Sequence, residues 1–280
     1  MADAVCTVCP HACRIRPGGL GVCGARGVRD GAVVSLNYGR STGLALDPIE
    51  KKPLACFHPG TSILSYGSFG CNMACPFCQN SSISTARADD PPPTRYISPE
   101  DLVAEGVGLK SRGNIGIALT YNEPLIALEY LMDVGRCARE AGLVTVAVTN
   151  GYVSRDAWAC ALPCLDAVNI DLKCFSEAGY RSLGAPGGLE AVKGSIASAF
   201  EAGVHVEVTT LVVPGLSDDE EAFREECLWL SSLSPEIPLH ITRFFPCYKA
   251  LDKPPTPTKA LMRFKEVADG YLGRVFLGNI

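Results

Sequence analysis

Three cysteines, Cys71, Cys75 and Cys78, form the pattern C-x3-C-x2-C within one short loop. Cysteine thiolates are the usual protein ligands of cubane iron–sulfur clusters, so three of them can hold three irons. A closed structural cluster or zinc site takes four ligands, and this loop supplies only three. The remaining iron would be open, and it would be free to chelate a small molecule and pass it an electron. A zinc loop and three buried thiols are the alternatives that this spacing leaves open.

A second group of cysteines lies near the amino terminus. It has the spacing C-x2-C-x3-C with a further cysteine in a glycine-rich turn, and its members are Cys6, Cys9, Cys13 and Cys23. Four thiols so close in sequence predict a second metal site, either tetrahedral zinc or another iron–sulfur cluster. A reduced, unligated terminus is the alternative. His11 lies among these cysteines and is expected to be a bystander, because four thiols already complete a site.

The elements that must position these cysteines follow from residue 61 onward, where strand and helix patterns alternate. Six strands are predicted at 62–69, 115–121, 143–149, 167–172, 204–213 and 239–243. Such alternation indicates βα units around a parallel sheet. Ser98 is predicted to begin one helix, and a capping box of Ser217 and Glu220 another.

The predicted fold class is α/β, an incomplete (β/α)6 TIM-type barrel. Two of its strands alternate polar with apolar residues, as in 167–172 and 204–209, whereas a doubly wound sheet is apolar on both faces. Polar residues facing inward need a lumen that holds a polar ligand, with the helices on the outside. We expect residues 1–60 to form a Cys-rich metal-binding segment and linker, and residues 61–280 to form the core domain.

Polar residues gather at the predicted carboxyl ends of these strands, where barrel enzymes build their sites. The candidates for binding a cofactor are Asn122, Glu123, Thr149, Asn150, Asp171, Lys173 and His240. Asp171 and Lys173 share one strand face, so a plain ion pair is the alternative for them. Glu123 is equally placed to be a stabilising acid at a helix start, and a lone histidine is more often a core residue.

These motifs together resemble the radical S-adenosylmethionine (radical SAM) enzymes. The cysteine loop is similar to their signature loop, in which the open iron binds the amino and carboxylate groups of SAM. The segment 121–124 resembles their Gly-Gly-Glu-Pro, with Tyr121 and Asn122 in place of the glycines. The segments 148–151, 171–173 and 212–218 are similar to those of pyruvate formate-lyase activating enzymes. Val148 replaces an acid there, which removes a ligand from their monovalent-cation site.

Almost the whole chain resembles the AmmeMemoRadiSam proteins, which are named for their association with AMMECR and MEMO proteins. The resemblance is carried by segments 9–11, 47–53, 70–72, 78–80, 120–124 and 278–279. One departure is at 55–56, where Ala-Cys replaces a bulkier, His-containing pair and adds the thiol of Cys56.

The resemblance implies an enzyme that cleaves SAM at a 4Fe-4S cluster and abstracts hydrogen from a substrate. Its cluster ligands would be the three loop cysteines, and its SAM ligands the strand-end residues. The expected substrate is a glycine in a partner protein or peptide, and an electron donor such as flavodoxin or ferredoxin is expected. The alternative is radical modification of another protein or small molecule, with Cys56 or Cys247 as weak candidates for an acceptor or relay. Because an open cluster is oxygen-sensitive, anaerobic activity is expected.

Composition and charge exclude several other functional classes of protein. The net charge of −5 argues against a nucleic-acid footprint. No apolar run reaches about 18 residues, and no signal peptide is recognised, so no membrane partner is expected. Fourteen cysteines without a secretory signal favour metal binding in a reducing cytoplasm. A non-enzymatic alternative is an iron–sulfur electron-transfer protein or a zinc-structured binding protein, which would leave the polar strand ends unexplained.

Overall fold

Strands and helices alternate through most of the computed structural model, which describes residues 3–280. The strands are β1 Ala4–Val5, β2 Arg14–Ile15, β3 Arg26–Arg29, β4 Ala32–Ser35, β5 Arg40–Ser41, β6 Gly43–Pro48, β7 Ser62–Gly67, β8 Arg95–Tyr96, β9 Asn114–Thr120, β10 Val144–Thr149, β11 Ala167–Asp171, β12 His205–Val212, β13 Leu239–Arg243 and β14 Val275–Gly278. The helices are α1 Ser81–Ser84, α2 Pro99–Gly108, α3 Leu128–Glu140, α4 Arg155–Ala161, α5 Glu177–Ser182, α6 Gly188–Glu201, α7 Glu220–Leu233 and α8 Thr258–Asp269. Short 3-10 turns occupy Ile49–Lys51, Lys110–Arg112, Pro124–Ala127 and Leu162–Cys164.

One sheet of eight strands organises the chain, in the order β14-β13-β12-β11-β10-β9-β7-β6. Every pairing from β7 to β14 is parallel, and β6 runs antiparallel to β7. The sheet is open, with β6 and β14 at its two edges. The six predicted strands are all present, and the expected α/β incomplete barrel is confirmed. Within residues 3–280, no helix combines the length and the apolar character that crossing a bilayer requires.

The inner face of the sheet is polar where the alternation predicted it. Asn169, Glu207, Thr209 and His240 are all buried. Their neighbours along the strands, such as Val206, pack into the large apolar core beneath the helices. This arrangement separates a polar interior from an apolar outer layer.

Part of that interior is filled by the segment 49–56, which we call the plug. Leu54 packs with Ile63 and Val146 on the inner face. Asn169 Nδ2 donates to the carbonyl of Pro53 at 2.8 Å. The backbone N–H groups of residues 55 and 56 donate to the Glu207 carboxylate. The polar inner face therefore binds the protein's own backbone at the amino-terminal half of the strands.

The residues before β6 form small two-stranded sheets that pack against the barrel. Arg26 on β3 makes a bidentate contact with Glu129 on α3, at 2.9 and 2.6 Å, and also donates to the carbonyl of Ile126. The strand β6 precedes residue 61 yet belongs to the main sheet. The main sheet thus begins before the boundary predicted from the sequence.

Two helix caps were predicted from the sequence, and the structure shows which residues cap those helices. The Ser98 hydroxyl accepts from the N–H of Asp101, as expected of an N-cap. The predicted capping box of Ser217 and Glu220 is wrong, because Asp219 caps α7. The Ser217 hydroxyl instead donates to the carbonyl of Leu211 and closes the turn after β12.

Candidate active site

The cysteine loop leaves the carboxyl end of β7 through a turn at Gly70. The φ of Gly70 is +87°, and a Cβ there would lie 2.7 Å from the carbonyl oxygen of Cys23. A side chain at this position would therefore be strained and would also push away the amino-terminal segment. Asn122 holds the same turn: its Oδ1 accepts from the N–H of Ser68, and its Nδ2 donates to the carbonyls of Phe69 and Gly70. The side chain of Asn122 is committed to shaping the loop.

Cys71 lies in a polar network that joins β10 to the amino-terminal segment. Asn150 Nδ2 is 3.6 Å from Cys71 Sγ and 2.9 Å from Asn72 Oδ1. Asn72 Nδ2 donates to the carbonyl of Tyr152, and the His11 ring is 2.8 Å from the carbonyl of Asn72. Asn150 therefore orients the first cysteine of the loop. His11, expected to be a bystander, contacts the loop backbone.

Glu123 is buried and accepts hydrogen bonds from three protein donors. Its Oε1 accepts from the Thr149 hydroxyl at 2.7 Å and from the N–H of Leu125 at 2.9 Å, and its Oε2 accepts from the N–H of Asn150 at 2.8 Å. Burial raises the pKa of Glu123 to about 7 despite these bonds. Glu123 caps the turn that leads into α3, as the helix-start alternative predicted, and it also ties that turn to the end of β10. A carboxylate has about four acceptor sites, so one more donor can be accommodated.

Asp171 and Lys173 form an ion pair beside the loop, with Lys173 Nζ 2.7 Å from Asp171 Oδ2. Burial lowers the pKa of Lys173, but the charges of Asp171 and Cys75 more than offset it, and the pKa is raised. Lys173 in turn opposes the effect of burial on Cys75, whose pKa is still raised to about 11. The ammonium group is therefore placed to balance negative charge at the thiols.

The third loop cysteine and a later thiol lie together. Cys78 Sγ is 3.1 Å from the Ser84 hydroxyl. Cys247 Sγ is 3.0 Å from the carbonyl of Phe77, and burial together with the charge of Cys78 raises its pKa. Cys247 thus lies beside the loop, and its role as an acceptor or relay stays a prediction.

Tyr121 occupies a backbone conformation that favours glycine, with φ of +73°. Its hydroxyl donates to Asp47 at 2.7 Å, and Lys52 binds the same carboxylate oxygen at 2.8 Å. A Cβ on Gly67 would lie 2.8 Å from the Tyr121 ring, so that glycine makes room for it. The sequence signal was the tyrosine at a position where the resembling enzymes have glycine, but its partners were not foreseen.

Two predicted residues lie elsewhere. His240 Nε2 is 2.6 Å from Glu207, and its ring stacks on Phe276. The backbone of Cys56 binds the same carboxylate. Both are therefore in the plug region, and the contacts of His240 do not support its selection as a SAM ligand. The alternation of β13 correctly gave its inward face but not its depth along the barrel.

The four amino-terminal cysteines share one neighbourhood. Cys6, Cys9 and Cys23 are buried, and Cys13 is partly exposed. Burial raises the pKa of Cys9 to about 12, and the charges of Cys23 and Cys6 add to that rise. Mutual repulsion of this kind is relieved when a metal ion takes up the thiolates.

The donor set of the cysteine loop fits the iron–sulfur cluster that was expected there. The loop offers three thiols with a cation beside one and an amide beside another, which suits an anionic iron–sulfur cluster. Cluster ligands bind different irons and stand farther apart than the ligands of one ion. Among residues 3–280, no three His, Cys, Asp or Glu side chains stand close enough to share a single metal ion.

Comparisons with known proteins agree with this geometry. Residues 66–227 match the model of the Radical SAM superfamily. An uncharacterized protein of Methanocaldococcus jannaschii is 37% identical over 98% of this chain and 81% of its own length. The pyruvate formate-lyase-activating enzyme of Clostridium pasteurianum is 24% identical over 56% of this chain and 64% of its own. The crystal structure of Streptococcus suis SuiB bound to S-adenosylmethionine has a similar fold, with a TM-score of 0.58 at 13% identity over 75% of this chain and 48% of SuiB.

Proposed function

Because this chain belongs to the radical SAM superfamily, we propose that Cys71, Cys75 and Cys78 hold its 4Fe-4S cluster. The superfamily is one of enzymes that use this cluster together with SAM. A cluster held there and reduced by an external electron donor would supply the electron that breaks a C–S bond of SAM, giving methionine and a 5′-deoxyadenosyl radical that takes a hydrogen atom from the substrate. The observation that carries the proposal is the grouping of the cysteine loop with the ends of β10 and β11, through Asn150 and Lys173.

The chain's own residues have distinct roles in this proposal. Asn150 and Asn122 fix the loop, and Lys173 balances thiolate charge. Asp171, partly exposed beside the loop, is available to a hydroxyl or ammonium group of SAM. Glu123 and Thr149 act mainly by holding the end of β10.

The test of the reaction class is anaerobic. Protein reconstituted with iron and sulfide is reduced with dithionite and given SAM, and 5′-deoxyadenosine is measured. Cys75→Ala is expected to lower its formation at least 100-fold and to lower bound iron, because an iron loses its thiolate. Cys160→Ala is the matched control, since Cys160 is exposed and distant from the loop in sequence. Full turnover by Cys75→Ala would refute the ligand assignment.

We propose a protein or peptide as the substrate. Support comes from the similarity to a pyruvate formate-lyase-activating enzyme, whose name describes action on another protein, and from a SuiB structure described as bound to a precursor peptide. The finer assignment to the AmmeMemoRadiSam group also remains a proposal. The substrate proposal is tested with host cells that are fed α-deuterated glycine. Their protein fraction is added to the reduced enzyme and SAM, and deuterium should appear in 5′-deoxyadenosine if a glycine of a partner protein is the hydrogen donor. Turnover without deuterium transfer would reject glycine as the hydrogen donor.

A second candidate is modification of another protein or small molecule with Cys247 as a participant. The contact of Cys247 with the loop backbone favours it. Cys247→Ala would then abolish product formation while SAM cleavage continues. If both reactions persist, Cys247 has a packing role. Cys56 is less favoured, because its backbone belongs to the plug.

We propose that the amino-terminal cysteines form a second metal site. Of the two expected groups iron–sulfur is favoured over zinc, because no three of these thiols, all within the described residues 3–280, stand close enough to share one ion. Iron, sulfide and zinc are counted in wild-type protein and in Cys9→Ser. Loss of about four irons or of one zinc would identify the metal. Unchanged iron, sulfide and zinc contents in Cys9→Ser would show that these cysteines do not form a metal site.

A further inference from the structure

The free edge of the main sheet lies on β6. The N–H of Ile49 donates to the carbonyl of Thr61 at 3.0 Å, and the N–H of Ser62 donates away from β6 to the carbonyl of Gly113. In an antiparallel ladder the residues that bond to the neighbour alternate. The odd-numbered residues of β6 therefore bond to β7, and the N–H and C=O groups of Leu44 and Leu46 point outward.

This edge lacks the usual protection against strand addition. Natural edge strands carry charged side chains, bulges or prolines that prevent pairing with another chain. The register of β6 with β7 is continuous from Gly43 to Pro48, without a bulge. The sequence Gly-Leu-Ala-Leu is uncharged, and the carboxylate of Asp47 is bound by Lys52. Only Pro48 at the far end is a protective residue.

The edge forms one side of an open groove of about 970 Å³. Its other walls come from the segment around Pro93, from the carboxyl-terminal part of α2, and from the 3-10 turn that follows α2 and contains Arg112. Two sheets that pair edge to edge must bring their strands within about 4.8 Å of each other. A single extended strand needs less room beside these walls than a whole second sheet does, which favours a single strand as the occupant.

The charged side chains that line the groove indicate which charge a bound strand should carry. Arg95 and Arg112 line it together with one acid, Glu105, which is 3.7 Å from Arg95. The groove is therefore basic on balance, although the whole chain has a net charge of −5. Acidic side chains on the occupant would complement it.

We propose that the β6 groove docks an extended, acidic peptide segment of a partner protein, which adds to the sheet by β-augmentation. Main-chain hydrogen bonds to Leu44 and Leu46 supply affinity, and the arginines supply selectivity. The Gly43 end of the groove lies beside Gly67, from which the chain runs to the cysteine loop. The docking of a peptide at this edge does not depend on the proposed function. Only the further statement, that the docked segment belongs to the substrate, rests on it.

The first test uses an acetylated octapeptide that alternates valine with glutamate, and the same peptide with lysine in place of glutamate. Binding is measured on oxidised protein without SAM, so that a failure of the radical chemistry leaves the result readable. The glutamate peptide is expected to bind at least tenfold more tightly than the lysine peptide. Hydrogen exchange at the amides of Leu44 and Leu46 should slow at least tenfold when it binds. No binding, or protection elsewhere, overturns the proposal.

Variants separate backbone pairing from charge. Leu44→Pro removes one outward N–H at an edge that tolerates proline, and it should weaken binding about tenfold, whereas Leu44→Val should not. Arg112→Glu should reverse the preference between the two peptides and leaves the backbone intact. Sedimentation is measured in parallel. A dimer that protects the Leu44 amide without peptide, and that Leu44→Pro dissociates, would make a second copy the occupant and reject the peptide.

Discussion

Glu207→Gln is expected to destabilise the protein strongly at neutral pH. The Glu207 side chain is fully buried and accepts from the N–H groups of Ala55 and Cys56 at 3.0 and 2.8 Å. It also lies 2.9 Å from His205 and 2.6 Å from His240. Glutamine keeps the volume but turns an amide group toward these donors, so at least one bond becomes a repulsive contact.

The size of the effect follows from the pKa of Glu207. Burial alone raises it, but hydrogen bonds from His205 and His240 more than offset burial, and the pKa falls from 4.5 to about 2. At about 1.4 kcal/mol for each pKa unit, this corresponds to roughly 3 kcal/mol of folding free energy. Because the folded pKa is below the unfolded one, this stabilisation is present above pH 4.5 and is lost as the pH falls toward 2. The deficit of Glu207→Gln should therefore be largest at pH 7 and shrink below pH 4.5.

The assay is urea unfolding of metal-free, reduced protein between pH 7 and pH 3. Glu226→Gln is the matched control, because Glu226 is also buried but burial raises its pKa to about 8. Its charged form opposes folding, so wild-type stability is lost as the pH rises from 4.5 to 8. The stability of Glu226→Gln relative to wild type should therefore increase as the pH rises over the same range. The reasoning fails if Glu207→Gln is as stable as wild type at pH 7, or if both variants shift in the same direction.

Three further substitutions test the loop and its supports. Gly70→Ala should lower the free energy of unfolding by about 1–3 kcal/mol more than Gly60→Ala does, and it should also lower cluster occupancy. Both glycines have positive φ, but only Gly70 faces a carbonyl within 3 Å. Equal losses of stability in a denaturant titration would mean that backbone strain alone explains the effect. Asn150→Ala should lower SAM cleavage about 10- to 100-fold with the iron still bound, and wild-type rates would deny it an orienting role. Arg26→Lys loses the bidentate contact with Glu129, so trypsin should cleave the amino-terminal segment faster than in wild type; an unchanged rate would show that other contacts hold that segment.

The six parallel strands of the barrel were accessible from the sequence because strand and helix patterns alternate from residue 61 onward. Ser98 also marked a helix start by a local hydrogen bond, which depends only on near neighbours. The capping box at Ser217 failed because Asp219, a competing cap, is closer to the helix and frees the serine for the turn after β12. The strand β6 was missed because it lies in a segment interpreted as a linker, and its partner β7 follows only after the plug.

The site was predicted in its composition but not in its connections. Cysteine spacing located the loop, and the alternation of polar residues located Asp171 and Lys173 on one face. Alternation gives the face of a residue and not its depth, so it did not indicate that His240 contacts Glu207 in the plug region. The contact of Asn150 with Cys71 joins residues 79 positions apart, and no local pattern reports such a distance.

The plug has a consequence for synthesis on the ribosome. Its backbone partner Glu207 lies 152 residues beyond Ala55. At about 5–20 residues per second, translation reaches that partner roughly 8–30 s after the plug has been made. During this interval the apolar side chains of Ile49 and Leu54 have no completed interior to enter. The nascent chain is therefore a client for holding chaperones until β12 emerges, and variants that weaken the plug should aggregate during expression before they lose stability as purified protein.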